Sequence, residues 1–250
     1  MGITIALINQ KGGVGKTTSS MNIAMSLSLL KKKVLMIDAD AQCDLSTSFG
    51  IFEHDYTIQN FLNLEVLPDF ADIEISDNLF LISGFTDLLE LKLSKKTFEE
   101  PVNRISGKFD FIIIDCQPQR VVQSKLTINE CILNVSNYLL LPLDANYNSI
   151  KGTLDFIQSI ERVKVSYNHN LKILGLFFTM VNERELLFHE FKDYLKGQNS
   201  DLLIDTFIRR DINVKKSQSV SKPLALFNNK ANSYKDYEDL VNELLVRMRV

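Results

Sequence analysis

Cysteine is scarce in this 250-residue chain, and its three copies, Cys43, Cys116 and Cys131, are odd in number and far apart. That spacing offers neither a disulfide framework nor a metal-binding pattern, and it suits a reducing, cytosolic setting. No apolar run approaches the roughly 18 residues that a membrane span requires. A strand-like run begins at Ile3, which leaves no room for a signal peptide ahead of it. Linkers, low-complexity tracts and internal repeats are also missing, so one domain over residues 1–250 is expected. Nor is there an excess of positive charge: 28 Lys and Arg stand against 31 Asp and Glu, a net of −3. This balance excludes a generally basic nucleic-acid binder but leaves room for a local basic patch.

What the chain does have is ordinary globular composition, 45% hydrophobic and 24% charged. Strand-like runs at 3–8, 34–38, 79–82, 109–115, 138–143, 171–180 and 202–208 alternate with helix-like ones. The helical runs fall at 17–30, 58–64, 87–105 with a polar break near 94–97, 125–135, 149–165, 183–195 and 233–249. Continuous apolar strands interleaved with amphipathic helices predict a three-layer α/β fold, a mostly parallel twisted sheet with helices on both faces. Ligands of such sheets bind at the carboxyl ends of the strands.

The stretch Asn9-Gln10-Lys11-Gly12-Gly13-Val14-Gly15-Lys16-Thr17-Thr18 sits between the first strand and the first helix. That context suits a phosphate-binding loop: glycines let backbone N–H groups crowd around phosphate oxygens, and the helix N-terminus adds partial positive charge. Lys16 would then place its charge between the β- and γ-phosphates, and Thr17 would offer its hydroxyl to Mg²⁺. The common pattern wants glycine six residues before Lys16, where Gln10 stands, and a second lysine, Lys11, opens the loop.

Two further strands end in acids. The run 109–115 closes on Asp115, which would emerge near Mg²⁺ or its water shell. The run 34–38 closes on Asp38-Ala39-Asp40-Ala41-Gln42, with both acids on one side if the backbone stays extended. A carboxylate there would orient an attacking water and respond to the γ-phosphate, with Asp40 preferred over Asp38.

Taken together, Lys11-Gly12-Gly13-Val14-Gly15-Lys16-Thr17-Thr18 resembles the deviant Walker A motif of the ParA/MinD ATPases, a P-loop NTPase family. Asp38 to Gln42 is similar to the family's switch element, and Phe109 to Pro118 to its Walker B strand. Later runs follow the family's order, so the likeness covers essentially the whole chain. The Asp-x-Asp-x-Gln spacing resembles partition proteins of the short, Soj-like type, without an N-terminal helix-turn-helix extension. The MinD alternative is a membrane-surface positioning ATPase. The tail 239–250 lacks the bulky aromatic and basic residues of a membrane-surface helix. A third reading is a nucleotide-gated adaptor with negligible turnover.

The resemblance implies an ATP- and Mg²⁺-dependent homodimer with the nucleotide sandwiched between subunits. Gly12, Gly13, Val14, Gly15, Lys16, Thr17 and Thr18 would cradle the phosphates, and Asn182 would read the adenine edge. Lys11 would cross to the partner's phosphates, Lys16 would serve its own, and Asp40 would act in hydrolysis. Thr17, Asp115 and Asp40 would hold the metal. Basal hydrolysis would be slow, and a ParB-like centromere-binding protein would stimulate it. The dimer would bind DNA without sequence preference, in a cytoplasmic, nucleoid-associated setting. Arg184, Arg210, Lys215, Lys216 and Lys222 are the candidate DNA contacts, with Arg209 and Lys230 in the same basic cluster. Departures from the family pattern include Ala41, Asp44 and Gln117, and Asn213 where the family has an arginine.

Overall fold

In the computed structural model, which describes residues 2–53, 55–64, 67–119 and 126–250, the apolar runs form one sheet. Its seven strands lie in the order β3-β4-β2-β5-β1-β6-β7. They are β1 (Ile3–Leu7), β2 (Val34–Ala39), β3 (Glu74–Ser76), β4 (Leu79–Ile82), β5 (Phe111–Cys116), β6 (Tyr138–Asp144) and β7 (Lys172–Thr179). Of these strands, only the short edge strand β3 runs antiparallel to its neighbour. Every residue of β2, β4 and β5 is buried, as expected of parallel strands covered on both sides.

Successive side chains alternate between two cores. Ile112 and Ile114 face α3 (Ile58–Asn63), α4 (Glu99–Ile105), α5 (Ile128–Val135), α6 (Tyr147–Tyr167) and α7 (Leu186–Asn199). Phe111 and Ile113 face α1 (Lys16–Leu29), with α2 (Asp44–Ser48), α8 (Ile212–Ser219), α9 (Leu224–Phe227) and α10 (Asn232–Met248) on the same side. Helix α1 is sandwiched between sheet and α10, which buries Tyr237, Leu240, Val241, Leu244 and Met248. This explains why α1 is apolar or small almost all round rather than striped.

The expected mostly parallel sheet with helices on both faces is therefore what forms. Several segments differ from expectation, the short strand β3 among them. The run 202–208 is not a strand. It meets β7 at one isolated bridge, Leu176 with Leu203, and through the Ile208 N–H on the Phe178 carbonyl (2.8 Å), with a second bridge, Val181 with Arg209, just past both. In between, the Asp205 and Thr206 N–H groups donate to the Glu243 carboxylate of α10, each at 3.0 Å, instead of to β7. The run 87–105 is a 3₁₀ turn, Leu88–Glu90, and then α4, so its polar break is wider than the pattern suggested. The polar loop after β2 contains the short helix α2, and α8 and α9 form where no helix was expected. Lys125, first residue of the expected helix 125–135, lies outside the described residues; α5 itself starts after Thr127, whose side chain caps it.

Because β1, β2, β5 and β6 run parallel and adjacent, their carboxyl ends share one edge. Asp38 and Asp115 are register partners there, and Leu7 pairs with Asp115 at the root of the glycine loop.

Candidate functional site

The loop between β1 and α1 is anchored before it turns. Asn9, fully buried, donates from Nδ2 to the Pro142 carbonyl (2.9 Å) and to Thr153 Oγ1 (3.1 Å). Gln10 donates to the Gly152 carbonyl at 2.6 Å, so the residue standing where the common pattern has glycine clamps the loop to α6. Thr179 Oγ1 donates to the Val14 carbonyl at 2.9 Å from the end of β7. Gly13 and Gly15 have φ of 75° and 82°, the left-handed region that glycine enters without a Cβ penalty. Gly15 is also the residue from which α1 starts.

Lys16 is buried and turned in, its Nζ donating to the Lys11 carbonyl at 3.1 Å. Burial pulls its pKa below the ordinary lysine value, against the opposing pull of Asp115, Cys116 and Asp40. Lys11 turns the other way. Its Nζ lies 3.0 Å from both oxygens of Asp144, at the carboxyl end of β6. Asn146 Nδ2 donates to the same carboxylate.

Asp115 is fully buried, with Oδ1 accepting from Ser20 Oγ at 2.8 Å and Oδ2 left without a hydrogen-bond partner. Burial pushes its pKa up to about 7, the charge of Asp38 adds to this, and the Thr17 and Ser20 hydroxyls and Lys16 oppose it. Burial likewise lifts Asp38 to about 6, against hydrogen bonds from Ser46 and the Asp40 N–H. Asp40 is itself nearly buried, and its Oδ1 accepts from the Gln42 N–H at 3.0 Å.

These groups open onto a cavity of about 910 Å³. It is lined from the loop by Gly12, Gly13, Gly15, Lys16, Thr17 and Thr18, and from the switch segment by Asp40, Gln42 and Asp44. Met180, Ile208, Arg210, Val214, Lys215, Gln218 and Tyr237 close its far side. That volume lies at the upper end for a small-molecule site. The residues fit a magnesium–triphosphate. Gly12 and Gly13 leave open space where a Cβ would stand, Lys16 supplies a buried cation, and Asp115 presents an unsatisfied oxygen beside the Thr17 hydroxyl. Among the described residues no three His, Cys, Asp or Glu side chains group as a metal cage. This agrees with magnesium's habit of taking one or two protein oxygens and completing its shell with phosphate and water.

Other expected residues fall elsewhere. Asn182 is exposed, donates to Glu185 Oε1 at 3.0 Å, and does not line the cavity. Arg184, Arg210, Lys215, Lys216 and Lys222 are exposed and, among the described residues, form no ion pair. Arg210 and Lys215 line the cavity as well. Arg209 is removed from the free basic cluster by Asp236, whose carboxylate takes its Nε at 3.0 Å. Asn213 folds back onto Asp211 Oδ1 at 2.7 Å, and Asp211 caps α8. Sequence reasoning passed over Asp144, although it ends an apolar strand just as Asp115 does. It also passed over Gln218, whose Nε2 donates to Thr18 Oγ1 at 3.0 Å across 200 residues.

A sequence profile of the AAA domain family matches residues 2–173. The chromosome-partitioning ATPase Soj of Treponema pallidum is 29% identical over 255 residues, covering 99% of this chain and 98% of its own. Among solved structures, apo McdA from Cyanothece superposes with a TM-score of 0.83 at 20% identity, covering 98% of this chain and 100% of that one. Cobyrinic acid a,c-diamide synthase from Mycobacterium smegmatis, with bound ATP analog and magnesium, gives 0.82 at 22% identity, covering 100% and 96%.

Proposed function

From the premise that this chain belongs to the AAA domain family and is a ParA/MinD-type P-loop ATPase, we propose that it is a partition ATPase whose ATP-bound form is a DNA-binding homodimer. The observation that carries the reading is two lysines on one phosphate loop facing opposite ways. Lys16 is buried toward the chain's own cavity, while Lys11, with a side chain 37% exposed, points outward where a second copy can present its triphosphate.

In the proposed cycle the loop amides and Lys16 bind and orient the triphosphate. Lys11 of one subunit leaves Asp144 and reaches the partner's phosphates, adding positive charge where negative charge develops, the part an arginine finger plays elsewhere. Asp40 accepts a hydrogen bond from the attacking water and aims it at the γ-phosphorus. Thr17 and Asp115, with Asp40 nearby, would hold a magnesium ion, which would supply positive charge to the phosphates. Products are ADP and phosphate, and loss of the γ-phosphate releases the dimer. Turnover is slow until a ParB-like partner stimulates it.

Arg184, Arg210, Lys215, Lys216 and Lys222, exposed and without an ion-pair partner among the described residues, support contact with DNA phosphates in the cytoplasm, over the nucleoid. Against a membrane-surface role stands α10, whose apolar side is spent on the core. No helix among the described residues is long and apolar enough to cross a membrane. A gel shift on non-specific duplex DNA, run beside liposome co-sedimentation, tests the reading. ATP is expected to promote the shift, ADP is not, and Lys16→Ala abolishes it together with ATP binding. Nucleotide titration of Lys16→Ala matching wild type would overturn the site assignment, and ATP-dependent liposome binding without a DNA shift would overturn the DNA role.

A further inference from the structure

We propose that Asp38 and Ser46 form a positioning pair that sets the backbone of Asp40 and ties the switch segment to the end of β4. The role assigned to Asp40 rests on the hydrolytic reading above. Asp38 is fully buried and does not line the cavity, so it meets no substrate. Its carboxylate accepts on both sides. Oδ1 takes the Asp40 N–H at 3.3 Å, and Oδ2 takes the Ser46 N–H at 2.8 Å and the Ser46 hydroxyl at 2.6 Å. Ser46 Oγ in turn accepts the Gly84 N–H at 2.9 Å, from the loop that follows β4.

The consequence is mechanical. Asp40, Gln42, Asp44, Thr47 and Ser48 line the cavity, whereas Asp38 and Ser46, interleaved with them, point into the protein. One carboxylate therefore holds the end of β2, the backbone of Asp40, helix α2 and the Gly84 loop in a single arrangement. The seating is tight. A Cβ on Gly84 would stand 3.1 Å from Asp38 Oδ2 and 2.7 Å from Cys43 Sγ. Between Asp40 and α2 the chain passes through Cys43 at φ 53°, a conformation a side-chain-bearing residue holds only when its surroundings impose it. Among the described residues the Asp40 side chain has only the Gln42 N–H as a hydrogen-bond partner, so its aim follows from this backbone.

Only a carboxylate accepts on both faces. An amide at position 38 has one oxygen, so its NH₂ must oppose either the Asp40 N–H or the two Ser46 donors. Asp38→Asn also removes a buried charge beside Asp115, which offsets the cost of the opposed donors, so unfolding is read beside rate to separate positioning from stability. Ser46→Ala removes the hydroxyl from the other end of the pair.

The test uses the full chain with Mg-ATP. Three readouts are taken on Asp38→Asn, Ser46→Ala and wild type: kcat and KM, thermal unfolding, and hydrogen exchange at residues 40–50 and Gly84. Misaimed catalytic groups lose rate far more than binding, so kcat is expected to fall at least about tenfold in both variants, with KM changed by no more than about threefold. Asp38→Asn is expected to unfold no lower than wild type, and exchange at Ser46 and Gly84 is expected to accelerate in Ser46→Ala. Undiminished kcat in Asp38→Asn overturns the positioning role, and unchanged exchange in Ser46→Ala overturns the tie itself. Failure of the hydrolytic reading shows differently, as a wild-type chain without turnover or an Asp40→Ala chain with full kcat. Either removes the role assigned to Asp38, while the exchange measurement still reports on the tie.

Discussion

The bidentate Lys11–Asp144 pair holds the outward lysine within its own subunit, so breaking it is expected to favour the dimer. The perturbation is Asp144→Asn, which keeps shape and a partner for Asn146 but removes the charge. The pair is half-exposed, with side chains 37% and 24% accessible, so solvent screens it and the interaction contributes roughly 0.5–1 kcal/mol per subunit. Both subunits must release their lysine, which doubles the effect to about 1–2 kcal/mol per dimer, or roughly 5- to 30-fold in the dimer Kd. Sedimentation velocity with a non-hydrolysed ATP analogue reads that constant directly. Asp144→Asn is expected to tighten it by that factor at low salt, and by less at about 0.5 M salt, where the wild-type pair is already screened. Lys11→Ala is expected to abolish the dimer. A dimer constant in Asp144→Asn equal to or weaker than wild type, with Lys11→Ala still monomeric, would refute the reasoning: Lys11 would then gain nothing by being freed.

Asp40→Ala is expected to keep ATP binding while trapping the dimer, and size-exclusion chromatography with ATP showing only monomer would count heavily against that. Folded-state pKa values of about 7 for Asp115 and about 6 for Asp38 lie above the unfolded 3.8. The folded chain therefore binds more protons than the unfolded one between roughly pH 4 and 7, and its stability without nucleotide falls as pH rises through that window. Denaturation at pH 5.5 and 8 is expected to show Asp115→Asn stabilising the chain by about 2 kcal/mol more at pH 8, because each tenfold difference in proton affinity between the two states corresponds to about 1.4 kcal/mol. An equal effect at both pH values would contradict this. For DNA, Lys215→Ala with Lys216→Ala is expected to weaken binding across all sequences and reduce the salt slope by about 2, as two lost phosphate contacts would. An unchanged slope would place the DNA face elsewhere.

Much of this was legible in the sequence because it is local. Apolar runs of strand length bounded by polar residues mark β1, β2, β4, β5, β6 and β7 regardless of what they pack against. Glycines at 12, 13 and 15 mark a loop whose N–H groups can turn inward, though which of them take positive φ, Gly13 and Gly15, does not follow from composition. What escaped is settled by distant partners. The run 202–208 has strand composition, but Glu243 takes two of the N–H groups a strand would need. Arg209 looks as free as Arg210 until Asp236 is brought against it. Helix α2 is only five residues long in a polar stretch, and its Ser46 N–H is satisfied by Asp38, a strand residue eight positions back. Asp144 is the exception. Its signal, an acid ending an apolar strand, was as plain as that of Asp115.

The acids at this edge also bear on the proposed nucleotide-dependent switch. Asp38 and Asp115 are in register on adjacent strands, both fully buried, and each is pushed toward its protonated form by that burial. Removing two like charges from water side by side disfavours the folded chain, and Lys16, the one nearby buried cation among the described residues, is itself desolvated. Without nucleotide the site is thus electrostatically unfavourable, and a divalent cation held by Asp115 would relieve it. On the proposed reading, part of the affinity for a metal–nucleotide would come from that relief, not from new contacts alone. In the proposed cycle, repulsion between Asp38 and Asp115 would return once the products leave, at the strand ends from which the Asp40 segment is hung. A switch of the proposed kind would need no large hinge, because the segment best placed to respond is the one Asp38 holds.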